Sequence, residues 1–214
     1  MKEFRITLIG DGSSDETLLE IVKWLINDLF PKRTFQFLFA DFGYLPDPPS
    51  KSDPKKQIEY AKKYYPYDLL IYHRDAESNN IEMVAIRKAE ILSKIGQENL
   101  STVICMVPVK MMETWLLIDK EAIKKASGNR KYPGNIPLPP ISKLEKETNP
   151  KEILHNLLKE VSNLRGRRLD KFKVQQKVHL VAEFIENYEK LRNLTAFKIF
   201  EQDFLSAMEN LSQK

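Results

Sequence analysis

Tyr67-Asp68-Leu69-Leu70-Ile71-Tyr72-His73-Arg74-Asp75-Ala76-Glu77 is an apolar, β-rich run that climbs to two carboxylates and stops. A short continuous apolar run of this kind reads as a strand buried on both faces, as in a parallel sheet. In extended chain, residues one and three point to the same side. The spacing therefore predicts that Asp75 and Glu77 aim at one point. Two carboxylates at one point repel unless a cation sits between them or one stays protonated. Oxygen donors of this kind suit magnesium or manganese. For a lone acid-x-acid, a solvated turn after a strand is the plainer reading. Two other acidic strand ends in this chain change the balance.

Before the opening run, Phe4-Arg5-Ile6-Thr7-Leu8-Ile9 reads as a first buried strand, followed by the turn Gly10-Asp11-Gly12-Ser13-Ser14-Asp15. Ser13 and Glu16 have capping-box spacing and predict a helix start, with Leu18, Ile21, Val22, Leu25, Ile26 and Leu29 as its apolar face. A second strand is expected at Phe35-Gln36-Phe37-Leu38-Phe39. Asp53-Pro54 opens a short helix running to about Tyr64. Ile81, Val84, Ala85, Leu92 and Ile95 mark a helix closed by Gly96, and residues 102–107 form a fourth strand. Residues 110–119, with Glu113 and Trp115-Leu116-Leu117, read as helical.

Strands alternating with helices imply a parallel α/β sheet, whose ligands sit beyond the carboxyl ends of the strands. Asp11 and Asp15 follow strand one, Asp75 and Glu77 end strand three, and Glu113 follows strand four. If those strands are neighbours, five carboxylates gather at one edge. The plain reading of Asp15 is that it steadies a helix N-terminus; that leaves Asp11 unexplained.

The expected organisation is an α/β core over residues 1–125. A proline-rich connector and helical extension over 126–214 would pack on it, with helices from Asn149-Pro150, over 174–188 and over 195–211. The chain has 214 residues, 42% of them hydrophobic and 30% charged, as in a globular protein. No apolar run reaches the ~18–20 residues of a membrane span. One cysteine, Cys105, lies in an apolar run and reads as core. With no signal-peptide pattern, the cytoplasm is the expected compartment. A formal net charge of +4 suits a polyanionic partner without requiring one.

Asp11-Gly12-x-x-Asp15, Asp75-x-Glu77 and Glu113-Thr114-Trp115-Leu116-Leu117-Ile118-Asp119, in this order, resemble the toprim fold. More narrowly they resemble small prokaryotic toprim-like proteins related to nucleases of the overcoming-lysogenization-defect (OLD) type. The resemblance covers residues 4–119. It implies a Rossmann-like four-stranded parallel sheet and a magnesium- or manganese-dependent nuclease. The ligands would come from Asp11, Asp15, Asp75, Glu77 and Glu113, with Asp11 or Glu113 as the proton-transfer group. Anti-phage or anti-plasmid defence and a partner ATPase are also implied by it. The chain lacks a Gly-x-x-x-x-Gly-Lys-Ser/Thr motif of its own. Two acids differ in length from the family pattern: Asp11 is one methylene shorter than the usual Glu, and Glu77 one longer than the usual Asp. Aligning His73-x-Asp75 instead would replace an acid with His73. The Gly-Asp-Gly-x-x-Asp over residues 10–15 also resembles haloacid dehalogenase-type phosphatases, but no Asp-x-Asp precedes it.

Arg165, Arg167, Arg168, Lys171, Lys173 and Lys177 form a basic stretch. A solvated face is the default reading; beside an acidic edge, contact with a nucleic-acid backbone is the sharper one. Lys110 is a candidate to offset charge on a phosphoryl group. The expectation is a metal-dependent nuclease acting on DNA or RNA. The alternative is a non-catalytic metal-binding regulatory module with a degenerate site.

Overall fold

Four strands are hydrogen-bonded in the order β2-β1-β3-β4, all parallel: β1 (Phe4–Ile9), β2 (Phe35–Phe39), β3 (Leu69–His73) and β4 (Val103–Met106). This computed structural model describes residues 3–212. The strands form where the apolar runs predict. β3 is buried at every position, and Tyr72 near its end has no exposed surface. The chain passes from β1 to β2 on one side, then crosses to β3 on the other. The topological switch point, where open α/β sheets place ligands, therefore lies between the carboxyl ends of β1 and β3. This register makes neighbours of the three acid-bearing strand ends.

The first crossover contains a tight 3-10 turn at Ser13–Thr17 and then α1 (Leu18–Leu29). Asp15 caps this turn, and not the Ser13/Glu16 pair. Its Oδ2 accepts from the Asp11 N–H at 2.6 Å and the Gly12 N–H at 3.2 Å. Asp53 caps α2 (Pro54–Tyr64) by accepting from the Lys56 N–H at 3.0 Å, with Pro54 at the first helical position as expected. α3 (Glu82–Lys94) makes the third crossover.

The expected helix over 110–119 does not form. Lys110 has φ +62° and Met111 is extended, so helix cannot propagate through them. A single 3-10 turn at Met112–Trp115 follows, and α4 (Lys120–Ser127) begins only after Asp119 caps it, accepting from the Glu121 and Ala122 N–H groups. Trp115, Leu116 and Leu117 are wholly buried. The extension adds the one-turn α5 (Ile141–Leu144), α6 (Pro150–Ser162), the one-turn α7 (Arg167–Asp170), α8 (Val174–Phe184) and α9 (Thr195–Ser212). Its buried residues join those of the sheet in one hydrophobic cluster, with Trp115 packed edge-on against Phe197 of α9 at 5.4 Å. Cys105 sits in that core, where burial pushes its thiol up to about 12. Among the described residues, no helix is long and apolar enough to cross a membrane.

Candidate active site

Strand alternation continues past the end of β3 for two residues and sorts the site onto two faces. His73 and Asp75 point to one face, Tyr72 and Arg74 to the other. On the first face, the His73 ring is 1% exposed. A carbonyl only accepts, so the 3.0 Å contact with the Met106 oxygen assigns the proton to Nδ1. Nε2 then faces Asp75 Oδ1 at 3.5 Å and Asp15 Oδ2 at 3.8 Å. Burial lowers the pKa of His73, against the pull of Asp15, and Nε2 makes no hydrogen bond to either carboxyl group.

Asp75 Oδ1 is buried and has no hydrogen-bond partner. Burial, then the charges of Asp15 and Glu113, push the Asp75 carboxyl up to about 8. Glu113, 3% exposed, enters on the 3-10 turn after β4. Burial raises its pKa too, opposed by Lys151 at the start of α6, whose Nζ lies 3.7 Å from Oε1. Asp15, Asp75 and Glu113 thus come from three strand ends into one electrostatic neighbourhood.

On the second face, Arg74 Nη1 is ion-paired with Asp11 Oδ1. Its Nη2 donates to the Lys51 carbonyl at 2.6 Å, to Tyr72 Oη at 2.8 Å and to Gln57 Oε1 at 3.2 Å. Burial raises the pKa of Asp11, with Arg74 opposing. Asp11 therefore stands between the faces, held by a guanidinium.

Glu77 departs from the expected geometry. It has φ +57°, which ends the alternation and turns its side chain outward. It is 78% exposed and pairs with Arg87 of α3 at 3.2 Å. The left-handed residues Glu77 and Lys110 hold each other. The Glu77 N–H donates to the Lys110 carbonyl at 2.9 Å, the Lys110 N–H to the Ser78 carbonyl at 2.8 Å, and Lys110 Nζ reaches the Glu77 carbonyl at 3.4 Å. Lys110 is thereby tied beside the edge, with its ammonium on backbone and not on an acid.

Arg165, Arg167, Arg168 and Lys171 make no ion pair among the described residues, and all four are exposed. They precede α8, which packs beside α1. His179 Nδ1 contacts Thr17 Oγ1 at 2.8 Å, and Glu183, one turn on, shares a hollow with Glu20 and Lys23. The basic stretch leads into α8, which meets the start of α1, just after the acid-bearing turn, through that Thr17–His179 contact.

Sequence reasoning passed over Arg74, Gln57 and Lys151. Arg74 was legible: one residue from Asp75 in an extended run, it had to point to the opposite face. Gln57 and Lys151 had no local signal, because their roles depend on how α2 and α6 dock.

Among the described residues, no three His, Cys, Asp or Glu side chains form a ready-made metal cage. The donor set nevertheless fits a hard divalent cation. Magnesium is usually held by one or two carboxylates, several waters and substrate phosphates, and Asp75 Oδ1 is an orphaned carboxyl oxygen that feels the charges of two further acids. Comparisons with protein-family models, curated proteins and solved structures gave no match.

Proposed function

We propose that this is a toprim-like, cytoplasmic protein that hydrolyses a phosphodiester of nucleic acid with the help of magnesium or manganese. The observation that carries the reading is the buried, unpartnered Asp75 Oδ1, under the charges of Asp15 and Glu113 at the switch point of a parallel sheet. Asp75 would hold the cation, with Asp15 and Glu113 beside it and Asp11 at the margin. The cation, when bound, supplies Lewis-acid charge to a phosphoryl oxygen and lowers the pKa of a water.

The chain's own groups do the rest. His73, fixed through Nδ1, places its ring 3.5 Å from Asp75 Oδ1 and walls the site on that side. Lys151 limits the repulsion on Glu113. Asp11 is half exposed at the rim, where it can take a proton once its hold on Arg74 loosens. The basic stretch from Arg165 to Lys171 holds the backbone of the strand. The resemblance to OLD-type proteins is the ground for a defence role and a partner ATPase.

A second reading has its own support. Asp11 carries Arg74, Glu113 carries Lys151 and Glu77 carries Arg87, so protein cations already neutralise three of the five acids. That is what a non-catalytic, metal-binding regulatory module would show. Incubation with plasmid, single-stranded DNA and RNA under magnesium or manganese separates the two. The proposal expects cleavage that is abolished in Asp75→Ala. Intact substrates in every combination would favour the module.

A further inference from the structure

The second face of the switch point opens into a cleft that the acidic cluster does not use. Its volume is about 640 Å³, and it lies beyond the carboxyl ends of β1 and β2. That is within the range of sites that enclose small organic groups, and well above one nucleobase. The turn from Gly10 to Ser13 forms one wall, so Asp11 borders both the cleft and the acid edge. Phe39, Phe42, Tyr44 and Pro48 supply flat apolar surface, and Lys51 a cation.

Two details indicate a binding site and not a surface fold. Tyr44 is 88% exposed on a rigid support. The 3-10 turn Phe42–Tyr44 is fixed by Asp41, whose side chain accepts from the Gly43 N–H at 2.9 Å and whose carbonyl accepts from Tyr65 Oη at 2.5 Å. A large aromatic ring held out into water is available for stacking. Gln57, by contrast, is 1% exposed at the cleft floor. Its Oε1 accepts from Tyr72 and Arg74, which leaves the Nε2 amide as the group that can donate at the cleft floor. A primary amide nitrogen carries two N–H donors, so an acceptor on a ligand in the cleft can meet it.

We propose that the cleft seats one nucleoside, its base stacked against Tyr44 and an acceptor atom of the base or sugar meeting Gln57 Nε2. This rests on the nucleic-acid reading above and deepens it. The phosphate joined to that nucleoside would pass Asp11 and Arg74 toward Asp75, so the strand would be bent across the end of β3. Arg74 ties the two sites together, since it holds both Asp11 and Gln57. Base stacking on an aromatic ring tolerates every base, so the cleft would choose an unpaired nucleotide and not a sequence. That gives preference for single strands or for frayed and looped positions in a duplex.

The test uses the full chain in EDTA, where no strand is cut. Fluorescence anisotropy measures the Kd of a labelled 12-nucleotide single strand, intact or with an abasic residue at each position in turn, for wild type, Tyr44→Ala and Tyr44→Phe. Nucleoside monophosphates are titrated in a parallel arm. Because Tyr44 is exposed, neither substitution threatens the fold. The proposal expects Tyr44→Ala to weaken strand binding at least about fivefold and Tyr44→Phe to bind like wild type. It further expects one abasic position to weaken wild type without weakening Tyr44→Ala further, the non-additivity of groups in contact. Strand binding with additive losses at every position, or with no response to Tyr44→Ala, would overturn the cleft and leave the nucleic-acid reading standing. Tyr44-dependent binding of the monophosphates, with no strand bound, would keep the nucleoside site and overturn the polymer reading. No binding in either arm would overturn both.

Discussion

Asp75→Asn in metal-free buffer isolates the electrostatics of the site. In the folded protein the Asp75 carboxyl is pushed up to about 8 by burial and by Asp15 and Glu113; unfolded, it titrates near 4. A raised carboxyl pKa means that the folded state keeps a proton that the unfolded state has lost. The stability this gives is fully present below about pH 4. It drains away as pH rises through about 8, at up to ~1.4 kcal/mol per pH unit. The unscreened total would be about 5 kcal/mol. Asp75 is a third exposed, and water screening brings the expected penalty down to about 1–3 kcal/mol. Asparagine cannot ionise, and its amide keeps the size of the carboxyl it replaces. For a chain of this size each kcal/mol moves Tm by about 2–4 °C. Thermal unfolding in EDTA across pH 4 to 8.5 should therefore show the two proteins matched at pH 4. The variant should lead by about 2–12 °C at pH 8. An equal gap at all pH values, or a variant less stable at pH 8, would refute the crowded-carboxylate account.

Other outcomes follow from particular contacts. Arg74→Met leaves Asp11, Gln57 and Tyr72 without their shared donor and should lower stability by about 2–4 kcal/mol in chemical denaturation. Glu77→Gln, far from the cluster and paired outward, should leave magnesium-induced stabilisation unchanged in a thermal-shift titration. Replacing Arg165, Arg167, Arg168 and Lys171 together by Ala should weaken nucleic-acid binding with Tm unchanged. Its salt dependence should flatten by about one slope unit for each phosphate that the protein no longer neutralises. Trp115→Ala, which empties a wholly buried site against Phe197 and Phe200, should cost about 3–5 kcal/mol.

The sheet was readable because its central strands are buried on both faces. Each is a short apolar run, and alternation with helices dictates parallel pairing. The positions of Asp11, Asp15, Asp75 and Glu113 followed from the strand ends alone. What failed did so where tertiary contacts override local pattern. Glu77 and Lys110 adopt left-handed backbone that nothing in their chemistry favours, because the hydrogen bonds among Glu77, Ser78 and Lys110 fix it. The segment from Met112 to Ile118 is buried on all sides, so its apolar run carries no periodicity to separate helix from turn. Lys151 meets Glu113 only because α6 docks on the turn after β4.

The central claim is that Asp75, and not Glu77, anchors a divalent cation at the switch point. Manganese binding followed by electron paramagnetic resonance tests it directly on wild type, Asp75→Asn and Glu77→Gln. Saturable binding of one or two ions by wild type and Glu77→Gln, with the site abolished or much weakened in Asp75→Asn, is the predicted result. No saturable binding by wild type, or binding that survives Asp75→Asn and disappears in Glu77→Gln, would contradict it.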